Sequence, residues 1–94
     1  MLYGTIAKMK ILPGKEGEMK KMGQDVQPPG MVFEHIYKLD SGNNDYMMVV
    51  GFESKEAYEK NANSPEMHQS YLEYRKFLAT DPEWQDGEII QSMP

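Results

Sequence analysis

Residues 31–52, MVFEHIYKLDSGNNDYMMVVGF, decide how this chain folds. Met31 to Leu39 alternates, with Met31, Phe33, His35, Tyr37 and Leu39 on one side and Val32, Glu34, Ile36 and Lys38 on the other. Because successive side chains of an extended backbone point to opposite faces, this is the pattern of a β-strand. Asp40-Ser41-Gly42-Asn43-Asn44-Asp45 is turn chemistry, and Tyr46–Phe52 is a second strand, so the segment reads as an antiparallel hairpin with a loop longer than the tightest type. The unbroken apolar run Met47-Met48-Val49-Val50 marks the second strand as a central one, buried on both faces.

Upstream, Leu2 to Leu12 alternates in the same way, with Tyr3, Thr5, Ala7, Met9 and Ile11 on one face and Leu2, Ile6, Lys8 and Lys10 on the other. Pro13-Gly14 breaks this strand, with Pro13 placed for the first turn of a helix, where a missing N–H costs nothing. Met19, Met22 and Val26 follow at helical spacing. Gly14, Gly17 and Gly23 weaken that helix by roughly 1 kcal/mol each relative to alanine, so it depends on docking its methionines. Gln27-Pro28-Pro29-Gly30 ends it.

Downstream of the hairpin, Ser54 and Ser64-Pro65 are successive helix-start signals, so the second helical region is broken or kinked between them. Met67, Tyr71, Tyr74 and Leu78 then form a stripe at helical spacing, with Leu72 and Phe77 alongside, and Asp81-Pro82 stops it. Trp84 to Met93 closes the chain, with Ile89 and Ile90 expected in a short strand reached through Asp86-Gly87. The order is β-α-β-β-α-β, which predicts a ferredoxin-like α+β domain: a four-stranded antiparallel sheet with two helices on one face.

With 94 residues, the chain is expected to be one domain spanning residues 1–94. It has no cysteine for disulfide stapling, so a core this small gains from efficient packing or from oligomerisation. The net charge is −5, and the lysines are interleaved with acids, which argues against nucleic acid or an anionic membrane as partner. MLYGTIAKMKILPGKEGE contains no apolar stretch long enough for a signal peptide or a span, so a cytoplasmic location is expected.

Two stretches resemble a known family. Lys10-Ile11-Leu12-Pro13-Gly14-Lys15-Glu16-Gly17-Glu18-Met19 resembles the junction between first strand and first helix in antibiotic biosynthesis monooxygenase-like domains. Val49-Val50-Gly51-Phe52-Glu53-Ser54-Lys55-Glu56-Ala57-Tyr58, followed by Asn63-Ser64-Pro65-Glu66-Met67-His68, resembles the third-strand and second-helix block of the same group. The resemblance implies a homodimeric α+β barrel in which two such sheets pack together, with helices outside and a pocket between sheet and second helix. It also implies oxidation of a small aromatic, phenolic, quinol or anthrone-like, by O2 without metal or flavin, or in one branch the degradation of haem.

That branch uses an asparagine at the end of strand one, a tryptophan early in helix two and a histidine later in it. Here His68 matches the histidine and Tyr58 stands near the tryptophan position, but strand one offers Ala7, Met9 or Ile11 and no asparagine, which argues against haem chemistry.

The resemblance makes His68 a base or a hydrogen-bonding group toward substrate; the plain alternative is a surface histidine near a helix start. Tyr58, Tyr71 and Tyr74 are able to line an apolar pocket while offering a phenol, and at this spacing they also suit a core or interface. Tyr71 is a second candidate for proton handling. His35 and Phe33 share a row that meets either the helix layer or a dimer interface, with a buried structural histidine as the simpler reading of His35. Arg75 offers a charge to a substrate enolate or phenolate, or belongs to a solvated face.

Met48 and the other methionines suit an adaptable pocket for a flat ligand, and equally ordinary core filling. Trp84 is expected to anchor the last strand or a dimer seam. Two distant histidines and no cysteine give no metal-ligand spacing, and no phosphate loop or nucleophile elbow is present. A metal site is therefore not expected, and the resemblance implies that no cofactor is needed. Two further functions stay open at this point: a proton-transfer enzyme such as an isomerase or cyclase, and a non-catalytic small-ligand-binding stress protein of the same fold.

Overall fold

The computed structural model describes residues 1–24 and 27–93, so Val26 lies outside the described residues. The elements run β1 (Tyr3–Lys10), α1 (Glu16–Gln24), β2 (Met31–Lys38), β3 (Asp45–Phe52), α2 (Lys55–Ala62), α3 (Pro65–Arg75) and β4 (Glu83–Glu88). The four strands form one antiparallel sheet in the order β2-β3-β1-β4, which is the ferredoxin-like arrangement.

The two central strands pair with Ala7 opposite Met48, Thr5 opposite Val50 and Met9 opposite Tyr46. Their inward side chains form the core: Ala7, Met9, Ile11, Tyr46, Met48, Val50 and Phe52, joined by Met19 and Leu78. The alternation of β1 therefore holds as its sequence implies, with Ile6, Lys8 and Lys10 exposed on the other side. On β3 the outward residues Met47 and Val49 are half-buried, so this strand is central but not equally covered on its two faces.

Four local expectations are corrected. The register of β2 shifts between Met31 and Phe33, and a bulge inserts one residue and reverses the alternation. Met31 consequently shares the helix-side face with Glu34 and Ile36, while Phe33, His35 and Tyr37 point to the helix-free face. Pro13 does not enter α1: Gly14 adopts φ +80°, a left-handed turn residue, and the helix starts at Glu16.

α3 ends at Arg75, and Leu78 reaches the core from a following turn that pairs with the end of β1, through Leu12 N–H to Phe77 O at 2.8 Å and Ala79 N–H to Lys10 O at 2.8 Å. Finally, β4 is Glu83–Glu88, pairing with β1 through Trp84 opposite Ala7 and Asp86 opposite Thr5. Ile89 retains only a backbone bond to Leu2 O, and Ile90 is 90% exposed.

The second helical region is split where its start signals stand. Ser54 Oγ accepts the Ala57 N–H at 3.0 Å and Ser64 Oγ accepts the Met67 N–H at 3.0 Å, each cap contributing about 1 kcal/mol, with Pro65 opening α3. Neither α2 nor α3 contains a fully buried residue. These helices lean over the sheet without closing onto it, and that separation creates the site described next.

Candidate functional site

A cavity of about 580 Å³ lies between the helix-side face of the sheet and the helices. Its floor is Met48, Val50 and Phe52 from β3 with Thr5 from β1; its walls are Met31, Glu34 and Ile36 from β2, Tyr58 from α2, and Met67, His68, Tyr71 and Tyr74 from α3. Trp84 and Asp86 of β4 close the far edge. The stripe Met67-Tyr71-Tyr74 thus lines a cavity instead of completing a packed core. An apolar chamber with a few convergent hydroxyls and carboxylates is the usual form of a small-molecule site.

Tyr58 is fixed from three directions. Its hydroxyl donates to Asp86 Oδ1 at 2.8 Å, and its ring packs on Tyr3 at 5.4 Å and on Phe52 at 5.6 Å between centroids. Burial, then the bond to the Asp86 carboxylate, push its pKa up to about 12. Tyr74 donates to Met9 Sδ at 3.7 Å, and burial followed by the negative charge of Glu34 pushes it up to about 12 as well. Both phenols hold their protons at neutral pH, so neither acts as a base. Removal from water likewise raises the Glu34 carboxyl, although solvent still reaches the residue from the cavity mouth.

Of the residues expected at a site, the structure brings His68, Tyr71, Tyr58 and Met48 to this cavity. Phe33 and His35 lie across the sheet, their rings stacked at 5.5 Å on the helix-free face, and His35 is exposed in the single chain. Arg75 is not part of the cavity lining: its guanidinium donates to Asp81 Oδ1 at 2.8 Å and to Leu78 O at 2.8 Å, which ties the end of α3 to the following turn.

Glu34, Asp86 and Trp84 belong to the lining although sequence reasoning gave them no such role. Glu34 was within reach of it, since Ile36 two residues on marks that face as apolar; Asp86 sits in a polar strand with no pattern to flag it. Among the described residues no group of three or more side chains could hold a metal ion.

No family model and no curated protein matches the sequence. Solved structures do match the fold. The chain superposes on a protein from Chloroflexus aurantiacus J-10-fl, named a putative antibiotic biosynthesis monooxygenase, with a TM-score of 0.79 at 16% identity, covering 100% of this chain and 98% of that one. SnoaB of Streptomyces nogalater, a cofactor-independent oxygenase, gives a TM-score of 0.79 at 13% identity over 99% and 97% of the two chains. A conserved protein from Methanosarcina mazei Go1 gives 0.75 at 12% identity over 93% and 91%. The chain has the α+β fold of the antibiotic biosynthesis monooxygenase-like proteins.

Proposed function

We propose that this protein is a cofactor-independent monooxygenase that oxidises a small, electron-rich aromatic of the quinol or anthrone kind with O2. The observation that carries the reading is the cavity: an apolar chamber framed by Tyr58, Tyr71, Tyr74 and His68, in a fold shared with a cofactor-independent oxygenase. Met48, Val50 and Phe52 offer a flat apolar floor for an aromatic ring.

In this reading His68 takes the acidic proton of the substrate, with Tyr71 beside the ring as a hydrogen-bonding partner. The resulting anion gives an electron to O2 far more readily than the neutral ring does. One oxygen atom enters the ring carbon and the other leaves as water, so that CH2 and O2 become C=O and H2O. Tyr74, which keeps its proton and holds only a long 3.7 Å contact to Met9 Sδ, donates to a substrate oxygen, while the Tyr58 proton stays with Asp86. The buried floor of Met48, Val50 and Phe52 shields the radical pair from water on the sheet side.

A homodimer completes the molecule. The helix-free face carries Phe33, His35, Tyr37, Met47, Val49 and Ile6, with Tyr37 55% and Ile6 47% exposed. Sheets of this kind bury such a face against another layer, and a second copy is the partner proposed here, in the cytoplasm. Among the described residues no helix is long and apolar enough to cross a membrane.

Oxygen uptake by purified protein across anthrones, quinols and flavonols, beside His68→Ala and Tyr71→Phe, tests the proposal. The expected result is uptake above the buffer blank that falls at least about tenfold in His68→Ala. Uptake no faster than the blank for every compound overturns it, and turnover without O2 moves the site to proton transfer.

A further inference from the structure

The charges in the cavity are one-sided. Glu34 stands on β2 and Asp86 on β4, the two outer strands of the sheet, so a carboxylate borders the chamber at each edge. Among the described residues no lysine or arginine lines it, and Arg75 on α3 is committed to Asp81. The two acids are not equivalent. Asp86 accepts the Tyr58 hydroxyl, whereas Glu34 has no hydrogen bond or ion pair among the described residues.

Glu34 Oε1 lies 3.7 Å from where a side chain at Gly23 would begin, so the carboxyl reaches toward α1, which lines the chamber with Met22 and Gly23. The groups facing it are Val50 on β3, Gly23 on α1 and, on α3, Tyr74, whose raised pKa registers the Glu34 charge.

We propose that Glu34 is the acceptor for a hydroxyl of the bound aromatic and that it selects uncharged, hydroxyl-bearing ligands against carboxylated ones. The proposal rests on the reading of the cavity as an aromatic site and adds the ligand's charge class to it. A carboxylate acceptor with open lone pairs at the chamber mouth rewards an O–H donor with a charge-assisted hydrogen bond. The surrounding wall disfavours a ligand that arrives already anionic, because it would lose water and meet no lysine or arginine, and His68 gains a charge only by taking the substrate's own proton. A ligand with a hydroxyl at one end and a carboxylate at the other meets one of the two acids whichever way round it enters. Neutral quinols and anthrones pass this filter.

Calorimetric titration at neutral pH with 2-naphthol, 6-hydroxy-2-naphthoate and 2-methoxynaphthalene tests the assignment on wild type and Glu34→Gln, with circular dichroism confirming that the variant is folded. The expected result is that 2-naphthol binds at least about tenfold tighter than either relative, the hydroxyl being worth one charge-assisted bond. In Glu34→Gln the penalty on the naphthoate should shrink to about threefold or less.

Equal binding of naphthol and naphthoate to the wild type, or an unchanged gap in Glu34→Gln, overturns the role of Glu34 and leaves the aromatic cavity standing. Binding of none of the three overturns both.

Discussion

Alkaline pH should unfold this protein earlier than its charge balance implies, because Tyr58 and Tyr74 are held protonated in the fold. Each is pushed from an ordinary 10 up to about 12, chiefly by burial. In the unfolded chain both phenols ionise near pH 10. The unfolded state then binds fewer protons than the folded one, and stability falls as pH rises. The contribution is fully present below pH 10 and is lost on the way through about pH 12.

Two pKa units correspond to at most ~2.7 kcal/mol per group. Both rings keep some contact with water, so about 1 kcal/mol for Tyr58 and ~1–2 kcal/mol for Tyr74 are the fitting figures after screening. For a domain whose total stability is roughly 5–10 kcal/mol, that loss is large. Urea unfolding at about pH 8 and about pH 11 measures it, since about half of the full shift is realised by the higher pH.

Tyr74→Phe and Tyr58→Phe should each flatten the pH dependence, and each should remove one phenol from the late portion of the phenolate absorbance titration. Stability that is flat between those two pH values, or a phenolate titration unchanged in both variants, would refute the argument from burial.

The helix α1 offers a second check. Met19 is 1% exposed and, among the described residues, the one of α1 in the buried core, so Met19→Ala should cost ~2–4 kcal/mol and lower Tm by ~10–20 °C in a thermal melt. A drop of only a few degrees would mean that α1 is held elsewhere. At Gly51, an added Cβ would overlap the Phe33 ring at Cε2, so Gly51→Ala must displace that ring; a loss of ~1–3 kcal/mol in urea unfolding is expected, and wild-type stability would contradict it.

In acid, Glu16 is the group to watch: the Tyr46 hydroxyl at 2.7 Å, then Lys38, hold its carboxyl below its ordinary value. Its stabilisation is present above about pH 4.5 and disappears as pH falls through the lowered value, so Glu16→Gln should lessen the acid sensitivity of the melt.

How far the sequence reveals the molecule depends on how each residue's neighbours are specified. The faces of β1 were legible because Thr5, Ala7, Met9 and Ile11 are all small or apolar at strict alternation, and no bulge interrupts them. β2 alternates just as cleanly, yet its bulge after Met31 sends Phe33 and His35 to the helix-free side; a bulge depends on pairing with β3, which no single-strand pattern encodes.

β4 is built from exposed Glu83, Gln85 and Glu88 around Trp84, so its pairing with β1 is set by the backbone, and the apolar Ile89-Ile90 pair drew attention past it. The cavity residues Tyr58, His68 and Tyr71 announced themselves by helical spacing. Glu34 and Asp86 acquire meaning only when opposite edges of a sheet are brought round one chamber.

The most direct test of the central claim is turnover under isotopically labelled O2, with metal-chelated protein and whichever quinol or anthrone is consumed fastest, followed by mass spectrometry of the product. Monooxygenation at this cavity predicts a single labelled oxygen in the product, with incorporation lost in His68→Ala. An unlabelled product formed at the same rate without O2 would contradict it.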